Sequence, residues 1–193
     1  MSNQRPGKWK SATLRDGSGM QTVTFFKVAK NLLEENIMSN PLDEISLRLL
    51  GIMYFNQNDF DRAIPNLARS LSFEFDIKTF DAYFHSLVKT NQLDCARFVL
   101  ENYSEEIEKI NDQLNEHCFG ILEMAFGNYE AAAEIFKKIM PQIDNSLYFY
   151  CSAYANFLKG KAANANQLVK KALHLNDTKQ EYLELEARIV AAL

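Results

Sequence analysis

The sequence predicts an all-α protein: an α-solenoid of about four helical hairpins with a further helix at each end. Three observations carry that prediction. Ala63, Ala96, Ala132 and Ala165 recur at separations of 33, 36 and 33 residues, and self-similarity at such a period marks stacked supersecondary units. Seven Gly and four Pro in 193 residues are too few for a turn-rich β architecture. Between the turn residues, apolar side chains fall at helical spacing.

Residues 1–19 form a flexible basic arm, in which Arg5, Lys8, Lys10 and Arg15 face Asp16 alone. Its charge is +3, which leaves −7 on the remainder of a chain whose net charge is −4. Such an arm is either a solubilising tail or a contact to nucleic acid or lipid. Residues 20–39 read as an amphipathic helix with Val23, Phe26, Ala29, Leu33 and Ile37 on one stripe and Phe25, Val28 and Leu32 on a second. This helix either seals the end of the array or mediates self-association, which would make a homodimer.

The array occupies residues 40–176. Its paired helices are expected at about 43–57 and 59–73, 77–90 and 93–104, 113–126 and 129–140, and 145–159 and 162–175. The longer middle period places about one extra helical turn within Glu105–Asp112. Gly127 and Gly160 fall where the chain leaves a helix and positive φ is often needed, and Asn58 and Asn91 can take the same conformation. Pro41 suits a first turn and Pro141 a loop, whereas Pro65 lies inside a helix and should kink it. Phe84 stands where the other units carry Gly51, Gly120 and Ala153, so the second hairpin departs from close backbone packing. Residues 177–193 form a capping helix through Tyr182, Leu185, Ile189 and Leu193, with Asp177 or Thr178 as its cap.

The clearest unit reads Leu47-x2-Leu50-Gly51-x2-Tyr54, then Asn58-Asp59-Phe60, then Ala63-x3-Leu67 and Ser70-Leu71. It resembles the tetratricopeptide repeat, with Leu at the usual Trp and Phe positions. In that family the first helix of each pair lines a concave face, so the resemblance implies four facing residues per unit. They are Ile45, Arg48, Ile52 and Phe55; Lys78, Asp81, His85 and Val88; Leu114, His117, Ile121 and Met124; and Leu147, Tyr150, Tyr154 and Phe157. The partner-binding set expected from these is Arg48, Ile52, Phe55, His85, His117, Ile121, Met124, Tyr150, Tyr154 and Phe157. An exposed groove so apolar and aromatic asks for an occupant: either an extended segment with alternating aliphatic or aromatic anchors fits it, or its residues pack on the flanking helices or on a second copy. Ile45 and Ile52 stand where the clamp for acidic chaperone tails would carry polar donors, which excludes that role.

The stretch Phe157-Leu158-Lys159-Gly160-Lys161-Ala162 through Leu185-Glu186-Ala187-Arg188-Ile189 also resembles the end of class II type III secretion chaperones. Those usually have three repeats. The resemblance implies a cytoplasmic protein that holds hydrophobic translocator segments. The alternative is a structural or assembly subunit packed permanently into a larger complex.

No catalytic, metal or cofactor site is expected. His85, His117 and His174 lie in different segments, and no CxxC pair, HExxH helix, phosphate-cradling Gly loop or GxSxG elbow occurs. Glu34-Glu35, Glu105-Glu106-Glu108 and Glu181/Glu184/Glu186 read as solvated helix faces. The net negative charge argues against nucleic acid as the main partner. No secretory leader and no apolar run of membrane-spanning length is visible. Cys95, Cys118 and Cys151 read as small buried apolar groups in a reducing compartment, the cytoplasm.

Overall fold

The computed structural model describes residues 19–139 and 146–193, with side chains from Phe26 onward. The basic arm and the loop around Pro141 lie outside the described residues. Ten helices are described: α1 (Gly19–Ser39), α2 (Glu44–Asn56), α3 (Phe60–Leu71), α4 (Ile77–Lys89), α5 (Leu93–Asn102), α6 (Ser104–Ala125), α7 (Tyr129–Ile139), α8 (Ser146–Leu158), α9 (Ala162–Leu175) and α10 (Gln180–Val190). No strand occurs among the described residues. The protein is an all-α solenoid of helical hairpins.

Each hairpin turn is built the same way. Asn58 and Asn91 (φ 59°), Gly127 (φ 84°) and Gly160 (φ 78°) take the left-handed conformation. The amide of the following residue then donates five residues back, as in Asp59 to Tyr54 at 2.9 Å, Gln92 to Leu87 at 2.8 Å, Asn128 to Glu123 at 2.8 Å and Lys161 to Asn156 at 2.9 Å. This closure satisfies carbonyls that a helix end leaves unpaired and reverses the chain within two residues.

The hairpins then close on small residues. Ala63, Ala96, Ala132 and Ala165 are fully buried. A Cβ added at Gly51 would stand 2.7 Å from Leu67 Cγ, and one at Gly120 would stand 2.7 Å from Phe136 Cε1. Phe84 is buried and stacks on Phe80 with ring centroids 6.0 Å apart. Accordingly α4 and α5 approach each other over less of their length than the other three pairs do.

The structure adds local detail to three of these expectations. The extra residues of the second unit form a helical segment from Ser104 that ends at Asn111, whose φ of −162° and ψ of 93° interrupt α6. The Asn111 side chain accepts the Leu114 amide at 3.2 Å and so restarts the helix in the register of the third unit. α3 passes through Pro65 without losing its helical span. Both Pro65 and Asp61, whose carbonyl loses its helical donor, are exposed, where water can replace the missing bond. Finally, α10 starts at Gln180 rather than at Asp177 or Thr178, with Lys179 in the cap position. Asn176 Oδ1 takes the Thr178 amide at 3.3 Å and its hydroxyl at 2.9 Å, forming a turn ahead of the helix.

Stacking the hairpins produces three core clusters, with half-buried Tyr83 and Tyr150 packed between neighbouring ones. The first helices α2, α4, α6, α8 and α10 touch one another in succession, whereas the second helices stand farther apart. The row with the closer spacing is the inner row of a curved array, so these first helices carry the concave face. At the N-terminal end Leu33 and Ile37 of α1 pack on a cluster of Leu50, Tyr54, Ala63, Leu67 and Ala82. Tyr54 Oη donates to Glu34 Oε1 at 2.7 Å. At the other end Leu185 and Ile189 of α10 join Ala153, Ala165 and Val169.

Candidate partner-binding face

The inner row has two apolar ends and a polar middle. At the N-terminal end, Ile52 and Phe55 are half-buried against the cluster beneath α1, and the Phe55 and Phe60 rings lie 6.0 Å apart. Ile45 beside them is 57% exposed. Arg48 is half-buried, its Nη1 3.7 Å from Glu44 Oε1, and Ser70 donates to the same carboxylate oxygen at 3.1 Å.

In the middle, His85 Nε2 stands 3.4 Å from Asp81 Oδ1 one turn earlier on α4. His85 also meets the Phe84 ring edge-on at 5.5 Å. At the C-terminal end Tyr150 stacks on Tyr154 at 6.2 Å and on Tyr182 of α10 at 4.7 Å. The Arg188 guanidinium sits 5.8 Å from the Tyr154 ring and 5.2 Å from the Phe157 ring. Burial pushes the Tyr150 hydroxyl up to about 12, so it remains a neutral donor throughout the physiological range.

Two residues expected on this face are buried instead. His117 is 2% exposed and Ile121 is 9% exposed within the central core, where Met124 packs half-buried. The cause lies one hairpin further on. Tyr148, at the third position of α8, reaches back and meets the His117 ring edge-on at 4.4 Å, while Phe136 stands at 5.7 Å on another side. Both ring nitrogens of His117 are buried without a hydrogen-bond partner. Burial, with a smaller push from the charge of His85, drives its basicity down to about 4, against a weaker opposing pull from Asp81.

The equivalent third positions elsewhere are Ser46, Thr79 and Asn115. Thr79 follows Arg48 and Asn115 follows Asp81, and both fifth positions stay partly exposed. Tyr182 holds the same position in α10 and covers Tyr150 as Tyr148 covers His117. Tyr148 closes over His117, whereas Tyr150 beneath Tyr182 stays half-buried as Arg48 and Asp81 do, so the fifth position is shut in the third unit and not in the others. Arg188, too, was not foreseen: it falls at the ninth position of α10, in register with Ile52, His85, Ile121 and Tyr154.

Comparison with known proteins adds to this geometry. The sequence matches no described protein family and no curated protein. Among solved structures the chain is similar to PilW, a widely conserved type IV pilus biogenesis factor, with a TM-score of 0.71, 18% identity, and coverage of 89% of this chain and 80% of that one. It is also similar to YrrB, a tetratricopeptide-repeat protein with an unusual peptide-binding site (TM-score 0.60, 18% identity, 87% of each chain). A third is a thermophilic tetratricopeptide-repeat protein of Thermus thermophilus (TM-score 0.63, 17% identity, 90% of this chain and 93% of that one). This chain has the tetratricopeptide-repeat fold. At these identities the likeness speaks for the fold alone.

Among the described residues no group of three or more His, Cys, Asp or Glu is placed to hold a metal ion. No described helix is long and apolar enough to cross a membrane.

Proposed function

We propose that this protein is an interaction module whose concave face holds an extended segment of a partner protein in the cytoplasm. The observation that carries the reading is the pair of half-exposed apolar ends on one inner row: Ile45, Ile52 and Phe55 at one end, and Tyr154 and Phe157 under Arg188 at the other. Between them Asp81 and His85 supply a polar stretch. Because side chains of an extended segment alternate, its apolar anchors would seat at the two ends and its polar groups would meet the middle. Arg188 favours an acidic or aromatic group beside the second anchor. His117 and Ile121, buried in the free protein, are left out of this set, and Met124 supports the floor.

The resemblance to secretion chaperones supports a hydrophobic segment held before delivery as the partner class. PilW, similar in fold, is a pilus biogenesis factor, which keeps a subunit role in an assembly apparatus as the second reading. The two differ in the isolated protein: a holding protein unfolds cooperatively alone, whereas an obligate subunit does not.

The test is selection of extended peptides from a random library on the full chain, followed by titration calorimetry. Phe157→Ala and Phe55→Ala should each weaken a selected peptide by about 10-fold or more while circular dichroism stays unchanged. Unchanged affinity in both variants would remove the groove from the account.

A further inference from the structure

We infer that the two ends of the solenoid are complementary halves of one hairpin, and that α10 of one copy docks on α1 of a second copy, head to tail. The argument is one of register and is independent of the groove reading. Phe26, Ala29, Leu33 and Ile37 stand 34 residues before Phe60, Ala63, Leu67 and Leu71. α1 is therefore a second helix of the repeat, and it packs on α2 as α3 packs on α4. In α10, Tyr182, Leu185 and Ile189 stand 34 residues after Tyr148, Cys151 and Ala155. α10 is therefore a first helix, seated on α9 and touching α8. Among the described residues, α1 has no first helix before it and α10 has no second helix after it.

Exposure matches this placement among the described residues. The alanine that closes each complete hairpin is 0% exposed at Ala63, Ala96, Ala132 and Ala165, yet its equivalent Ala29 is exposed. The first-helix positions that receive a second helix are buried at Leu47, Gly51 and Tyr54. Their equivalents in α10, Leu183, Ala187 and Val190, are 43% exposed, exposed and 56% exposed. Each end thus displays the surface that the other end would bury. Both carry the small residue, Ala29 and Ala187, that close approach of the two helices requires.

Leu32 extends the match. Its equivalents in the array are half-buried at Asn66, Ile135 and Leu168 and 7% exposed at Val99, whereas Leu32 is 56% exposed. A preceding copy would bring its α9 and α10 against this side chain. Pairing of unlike surfaces is heterologous, so it propagates along an open chain instead of stopping at two.

Sedimentation velocity on the full chain from about 1 to about 300 µM tests this. Wild type should grow past the dimer with concentration. Ala29→Arg and Ala187→Arg, both at exposed positions, should each weaken association by at least about 100-fold with unchanged helicity. Mixed together, the two variants should form a one-to-one dimer and stop there, since each keeps one intact end. Wild type that stays monomeric throughout overturns the inference. So does Ala187→Arg that assembles like wild type, which would point instead to α1 pairing with α1. Leu32→Glu and Val190→Glu repeat the test on the same two faces should an arginine disturb the helix.

Discussion

Tyr182 lies flat on Tyr150, ring centroids 4.7 Å apart and planes 22° from parallel, and so joins the last first helix to the aromatic end of the inner row. Tyr182 is 2% exposed. Its truncation removes a ring that supports both α10 and the floor beneath Tyr154. Tyr182→Ala should cost about 3–5 kcal/mol in urea unfolding and should raise hydrogen exchange in α10 before the rest of the array. Uniform exchange across all ten helices would show that α10 does not form a separately opening end.

Gly51 is a second test of packing. Within a helix, alanine exceeds glycine by about 1 kcal/mol, so an open site would gain from the substitution. Here the new methyl would meet the Leu67 side chain at 2.7 Å and the Leu67 backbone nitrogen at 3.2 Å. Separation of α2 and α3 should outweigh the propensity gain, and Gly51→Ala should lose about 1–2 kcal/mol net. A stabilised variant would mean that the hairpin yields without cost.

Asp76 fixes the start of α4. Its Oδ1 accepts the Thr79 amide at 2.8 Å and the Thr79 hydroxyl at 2.7 Å. Partial burial pushes the carboxyl's pKa up, but these two bonds and the nearby Arg48 outweigh it and hold the carboxyl below its ordinary range. Asp76→Ala should destabilise by about 1 kcal/mol, whereas Asp76→Asn should retain most of the cap. Equal losses in the two variants would indicate that the charge, and not the cap, carries the effect.

His117 predicts a dependence on acidity. Its basicity in the folded chain is about 4, against an ordinary 6.5, so the unfolded chain binds the proton more readily. Stability is then unaffected by this group above pH 6.5 and falls as the pH drops towards 4, by up to about 3 kcal/mol. His117→Leu should flatten that part of the profile in urea titrations between about pH 7 and about pH 4.5. An unchanged slope would assign the acid sensitivity to other groups.

The sequence carried the hairpin grammar because each turn and each closing alanine is a local requirement. Asn58, Asn91, Gly127 and Gly160 name the turns, and the four buried alanines name the crossings. The inner face was less legible because it depends on neighbours one unit away. His117 occupies the same repeat position as Arg48, but Tyr148 and Phe136 close over it, whereas Arg48, with Thr79 at the third position of the following helix, stays half-buried. The cap at Asn111 is illegible for a related reason: an asparagine within a helical pattern reveals a cap only once the next unit fixes the register.

The central claim, that the inner row receives a polypeptide, is tested most directly by site-specific photo-crosslinking with a library-selected peptide. A photoreactive phenylalanine analogue would replace Phe157 on the inner row or Phe98 on α5, which is 68% exposed and belongs to a second helix. The account predicts efficient crosslinking at position 157 and little at 98. Crosslinking that favours position 98, or that is equal at both, would contradict it.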